Sequence, residues 1–249
     1  SIPVMVCMDG FVLTHAFERM DIPEQEEVDA FLPPYRPRQV LDPDHPYSIG
    51  AMVGPEAFTE VRYLAHRRML DALPVIERTA EEFKAAFGRE AGGLVSSYRM
   101  EDAEVCVFAM GSILGTIKDT VDELREGGMK IGVVGLKCYR PFPEKAVREA
   151  LARVRTVVVV ERQVSSGMGG ALSLDVMKAL RGLPVEQVSV VAGLGGRPVT
   201  KASLTDCFTR AAAGEITDEP YFLDLDRELV DAQLERERNA HHIGPLPEA

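Results

Sequence analysis

The chain has 249 residues, 46% of them hydrophobic and 27% charged, with a formal net charge of −11. That length suffices for one large core or two modest ones, and the acidic balance argues against nucleic acid, which needs a concentrated basic surface. No apolar run reaches the roughly 18 residues of a membrane span and no signal-peptide pattern opens the chain, so a cytoplasmic protein with no membrane partner is expected.

The chain opens at Ser1, and "PVMVCM" (Pro3–Met8) reads as a strand of buried type. Such a strand needs neighbours on both faces. With nothing ahead of it, the beginning reads as a cut edge. "DGFVLTHAFERM" follows, then an acidic connector in which Pro23, Pro33, Pro34, Pro37, Pro43, Pro46 and Pro55 forbid long regular elements. Phe31, Leu32, Tyr35, Val40 and Leu41 predict that this connector packs on something. Helices are predicted over 56–70 and 74–87, the second carrying Val75, Ile76, Thr79, Phe83 and Phe87 near helical spacing, with Gly88 as its stop.

From Gly92 onward, strands alternate with helices. "LVSSYRM" is a short strand and "EVCVFAMG" a buried one; a helix over 116–126 ends at Gly127-Gly128. The strand "KIGVVGLKCY", the turn "RPFPE" and a helix through Leu151 come next. "TVVVVE" leads through "RQVSSGMGG" into a helix over 171–180. "VEQVSVVAGLGG" precedes a helix that Thr200 or Ser203 could cap. The order implies an α/β fold with a mostly parallel sheet and helices on both faces, a three-layer α/β/α arrangement. The stretch from about Ile216 is acidic and polar, and is read as a tail, partly helical and partly frayed, ending "HHIGPLPEA".

Chemistry is harder to find. Cys7, Cys106, Cys138 and Cys207 are far apart and form no C-x-x-C pair, so neither a zinc site nor an iron–sulfur cluster can be built from them; buried, reduced thiols are expected. Three glycine turns follow strand ends: Gly111–Gly115, Ser166–Gly170 and Gly193–Gly196. Such turns line the carboxyl edge of a parallel sheet, where helix N-termini offer N–H groups to anions. None reads G-x-G-x-x-G, and no Walker loop is present. The turns are therefore either phosphate cradles or ordinary close packing of helix on strand. Lys137, Arg140 and Arg197 are the cations that could bind coenzyme A or another phosphate ester there. Glu161, at the end of "TVVVVE", stands where an α/β enzyme could place an acid, or else serves as a first-turn charge or subunit contact. Ser165 and Ser166 lie outside any G-x-S-x-G elbow, and His15 and His66 are lone histidines, more often structural than catalytic.

Five segments in order, "VMVCMDGFVLTH", "EEVDAFLPPY", "VFAMGSILGTIKDTVDELREGGMKIGVVGLKCYRPFP", "VVVVERQVSSGMGGAL" and "VAGLGGRPVT", resemble the alpha chain of 2-oxoacid:ferredoxin oxidoreductases, the pyruvate synthase type above all. The resemblance runs from Val4 to about Gly214. It implies a multisubunit enzyme with thiamine diphosphate, magnesium and iron–sulfur clusters, which decarboxylates a 2-oxoacid, reduces ferredoxin and hands the acyl group to coenzyme A, or runs in reverse. Beta-, gamma- and delta-type subunits would be its partners. It also implies a transketolase-C-terminal-like domain over 92–215, with "LVSSYRM" antiparallel at or near the sheet edge. Before that domain come the end of a pyrimidine-binding domain (1–20) and a connector with helices (21–91); the tail (216–249) follows it. The family's pyrimidine-binding domain is much longer than what precedes Gly92. No catalytic residue is therefore carried onto this sequence, no cofactor is expected on this chain alone, and the isolated chain is expected to be inactive.

Overall fold

A computed structural model describes residues 2–240 apart from 38, 49 and 51. Its centre is one sheet in the order β1-β3-β2-β4-β5-β6, with β1 at Val95–Tyr98, β2 at Val105–Ala109, β3 at Ile131–Leu136, β4 at Thr156–Glu161, β5 at Glu186–Val191 and β6 at Tyr221–Phe222. Edge strand β1 runs antiparallel to β3; the other pairings are parallel.

Helices α5 (Ile113–Glu126) and α8 (Lys201–Ala212) cover one face, and α6 (Glu144–Leu151) with α7 (Ala171–Leu180) the other. Alternation along the strands assigns the two cores. Val105, Val107, Val158 and Val160 meet Ile117, Val121, Leu204 and Phe208. Cys106, Phe108, Val157 and Val159 meet Val147, Leu151, Leu172 and Val176. Because both faces are buried, β2, β3 and β4 read as unbroken apolar runs. The expected three-layer α/β/α fold is observed, including the antiparallel edge strand.

Local signals also hold. Thr200 Oγ1 accepts from the Ser203 N–H at 3.1 Å and so caps α8. Gly88, at φ 66°, closes helix α4 (Leu73–Phe87). Directly before α4 lies helix α3 (Phe58–Asp71), which buries none of its residues.

Four expectations are corrected. Pro3–Met8 is not a strand: Val4, Met5, Val6 and Met8 are 75–88% exposed, and among the described residues no sheet neighbour pairs with them. Apolar content gave the strand reading, but a strand exists only where another segment takes up its backbone hydrogen bonds. Cys7, on the same segment, is exposed, whereas Cys106 and Cys207 are buried and Cys138 is half-buried. Burial pushes the Cys207 thiol up to about 12 and that of Cys106 further still.

In the connector, Phe31 is the one of the five apolar residues whose ring packs on other rings among the described residues. It closes helix α2 (Gln25–Phe31), and its ring lies edge-on to Phe83 and Phe87 at 5.9 and 5.3 Å, while Leu32, Tyr35, Val40 and Leu41 are exposed. The stretch after Ile216 contributes β6, which pairs with Val190 and Val191, before helix α9 (Arg227–Ala240). A two-residue strand is too short to show a period. The closing residues, 241–249, lie outside the described ones.

Candidate functional site

Strands β2, β4 and β5 are neighbours and parallel, so their three glycine turns stand side by side at the carboxyl edge. Each turn is occupied by a charged side chain of the protein itself.

The first is Gly111-Ser112, at the start of α5. Ser112 provides no side-chain cap of its own. Instead its N–H donates to Asp9 Oδ2 at 2.8 Å, from 103 residues away in the chain. Gly111 has φ 85°, and a Cβ there would lie 3.3 Å from the same oxygen. The hydrogen bonds of Ser112 hold the Asp9 carboxyl below the usual carboxylate range, and the Arg162 guanidinium, 4.0 Å away, adds to this.

The second turn ends at Gly170, before α7. Glu161, at the tip of β4, is buried and reaches the free N-terminus of that helix. Its Oε2 accepts from the Leu172 N–H at 2.9 Å; its Oε1 accepts from the Ser173 N–H at 2.9 Å and the Ser173 hydroxyl at 2.7 Å. Gln163 Oε1 accepts from the Ala171 N–H at 2.8 Å. Three consecutive orphan donors are thereby satisfied. A Cβ on Gly170 would fall 1.8 Å from Glu161 Oε1, so only glycine lets the carboxylate in.

The third turn begins at Gly193, with φ 75°. A Cβ there would meet Arg162 Nε at 3.0 Å and Val199 Cγ2 at 3.2 Å. This glycine makes room for the arginine that reaches toward Asp9.

The three cations considered for phosphate are not gathered. Lys137 follows β3, is exposed, and forms no side-chain hydrogen bond or ion pair among the described residues. Arg140 stacks on Tyr139 at 4.0 Å and donates to Asp175 Oδ2 at 2.8 Å. Arg197 follows β5 and donates to the Asp224 carbonyl. Strands β3 and β5 are three places apart, which separates Lys137 from Arg197 by about 14 Å along the edge at the usual strand spacing. His15 is exposed, its Nδ1 2.8 Å from the Phe11 carbonyl, and His66 is exposed on α3. Ser165 bonds with Gln163 and bridges to Gly169. The edge is thus a set of self-satisfied helix N-termini. Asp9 and Glu161 are its organising residues, and the cap that Asp9 provides is not legible in the sequence, because its contact is made across 103 residues.

Comparison with known proteins gives two family matches. The model for "Pyruvate:ferredoxin oxidoreductase core domain II" matches residues 103–204, and that for "Pyruvate flavodoxin/ferredoxin oxidoreductase, thiamine diP-bdg" matches residues 1–82. The pyruvate synthase subunit PorA of Methanosarcina barkeri is 41% identical over 92% of this chain and 58% of its own length. The ketoisovalerate oxidoreductase subunit VorA of Pyrococcus horikoshii is 33% identical over 91% of this chain and 59% of its own. The chain thus spans less than two thirds of these curated relatives. Among solved structures, a 2-oxoglutarate:ferredoxin oxidoreductase from Magnetococcus marinus overlaps 60% of this chain and 23% of its own at 18% identity, with a TM-score of 0.41.

Proposed function

Because the chain belongs to the 2-oxoacid:ferredoxin oxidoreductase family as an alpha-type chain, we propose that it is a supporting part of a pyruvate:ferredoxin oxidoreductase. The complete enzyme would oxidatively decarboxylate pyruvate to acetyl-coenzyme A with reduction of ferredoxin, or run the reaction in reverse. The observation that carries this reading is the 41% identity to a pyruvate synthase subunit over 92% of the chain. Between the pyruvate and ketoisovalerate subunits of Pyrococcus horikoshii the margin is small, 36% against 33%, so the choice of pyruvate is left to the assay below.

Thiamine diphosphate, supplying the carbanion chemistry when bound, belongs in this picture with magnesium and iron–sulfur clusters on the assembled complex. The edge residues of this chain do not fit the diphosphate. It would need free N–H donors and a bound cation, but the N–H groups there already serve Asp9, Glu161, Gln163 and Thr200. Two of those acceptors are carboxylates, which repel phosphate. Among the described residues, no three His, Cys, Asp or Glu side chains gather to hold a metal ion. In this reading the hydrogen bonds at the starts of α5, α7 and α8 serve to seat those helices on the sheet edge.

Beta-, gamma- and delta-type subunits, ferredoxin and coenzyme A are the proposed partners, in the cytoplasm. Among the described residues no helix is long and apolar enough to cross a membrane. The α/β unit, taken as residues 92–215, would be the support. Residues 1–91 would carry much of the subunit contact, because exposed apolar side chains such as Met5, Phe17, Tyr35, Phe58 and Tyr63 are concentrated there. The test is to purify the native assembly from source cells through this chain and assay ferredoxin reduction. Reduction that depends on both pyruvate and coenzyme A is expected. An assembly that reduces ferredoxin with no 2-oxoacid, or only with 2-oxoisovalerate, would overturn the pyruvate reading.

A further inference from the structure

Residues 2–20 are almost unpacked, yet one of them is held by two groups of the sheet edge. Among the described residues, Asp9 is the one member of this stretch that hydrogen-bonds to any residue beyond 92. Its neighbours Val6 and Met8 are 88% and 75% exposed. The chain then turns at Phe11, with φ 59°, into the short helix α1 (Val12–His15).

The receiving side is shaped for that carboxylate. Ser112 leaves the N-terminus of α5 without a side-chain cap, Gly111 leaves the space beside Asp9 Oδ2, and Arg162 approaches Oδ1. Arg162 in turn passes over Gly193, where any side chain would crowd it. The receiving elements are the turn after β2, the residue after β4 and the turn after β5.

We infer that Asp9 is a latch: it docks the N-terminal segment onto the carboxyl edge of the sheet through the Ser112 N–H and Arg162. Asp9 lies within the stretch matched by the thiamine-diphosphate-binding model, and Ser112 and Arg162 lie within the stretch matched by core domain II. The latch therefore fixes one family unit on the other. Its bearing on catalysis rests on the function proposed above; the contact itself does not.

Residue-resolved hydrogen exchange on the full chain tests it, with an internal control. In Asp9→Ala the Ser112 amide loses its acceptor and should exchange about fivefold faster or more, as expected for a lost helix cap. The Leu172 and Ser173 amides, capped by Glu161, should keep their protection. Asp9→Asn, which keeps an acceptor but not the charge, should fall between. Arg162→Ala should have a smaller effect, because its ion pair is half-exposed. Unchanged exchange at Ser112 in Asp9→Ala would overturn the latch. If that variant loosened all three amides, Asp9→Asn would decide by the same comparison. Exchange is read without any assay of turnover, so the latch and the proposed enzyme can fail separately.

Discussion

Gly170→Ala is expected to destabilise the protein by about 3 kcal/mol, the scale of losing charge-assisted hydrogen bonds together with a helix cap. Backbone strain is not the reason, since Gly170 has φ −80° and ψ 140°, which alanine adopts freely. The cause is the 1.8 Å between the new Cβ and Glu161 Oε1. The carboxylate must leave, which strips Leu172 and Ser173 of their acceptors at a buried helix start. Melting should fall by roughly 6–12 °C for a domain of this size. A double-mutant cycle isolates the cause. In a Glu161→Ala background the clash partner is gone, so adding Gly170→Ala should cost less than about 1 kcal/mol. Additive losses, measured by urea unfolding, would mean that the glycine serves some purpose other than admitting the carboxylate.

Phe108→Ala is expected to cost about 4 kcal/mol, as in other deletions of a fully buried phenylalanine. Phe108 lies on β2, between β3 and β4, where it pairs with Val134 and Val159 and is completely buried in the core beneath α6 and α7. The close packing of both faces leaves little room for collapse into the void. Phe17→Ala supplies the contrast. That ring is fully exposed in the N-terminal segment, and its removal should move the urea midpoint hardly at all. Equal losses from the two substitutions would contradict the core as described.

What could be read in advance follows from the range of the interactions. Strand β2 and the interior of β4 are legible as short apolar runs, because two-sided burial favours apolar side chains on both faces. Helix α7 was legible at both ends, and the Thr200 cap of α8 is a contact across three residues. Pro3–Met8 misled because apolar content records a tendency to be covered, not the presence of something to cover it. The capping role of Asp9 was hidden for the complementary reason: its partner lies 103 residues away, and nothing local tells that its carboxylate caps α5. Glu161 was partly legible. An acid at a strand tip, followed eight and nine residues later by a glycine pair, suits a strand-to-helix carboxylate cap, yet the same acid also fits a catalytic reading.

The glycine turns thus resolve toward packing of an unusual sort. Their small residues admit Asp9, Glu161 and Arg162. On the function proposed above, this chain is a supporting part of a larger enzyme, and the claim to test is that it binds no phosphate ester of its own. Titration calorimetry of the full chain with coenzyme A, and with thiamine diphosphate plus magnesium, tests that claim most directly. The self-occupied edge predicts no saturable heat with either ligand. One-to-one binding that Arg140→Ala or Arg197→Ala abolished would contradict it, and would make the carboxyl edge a phosphate site after all.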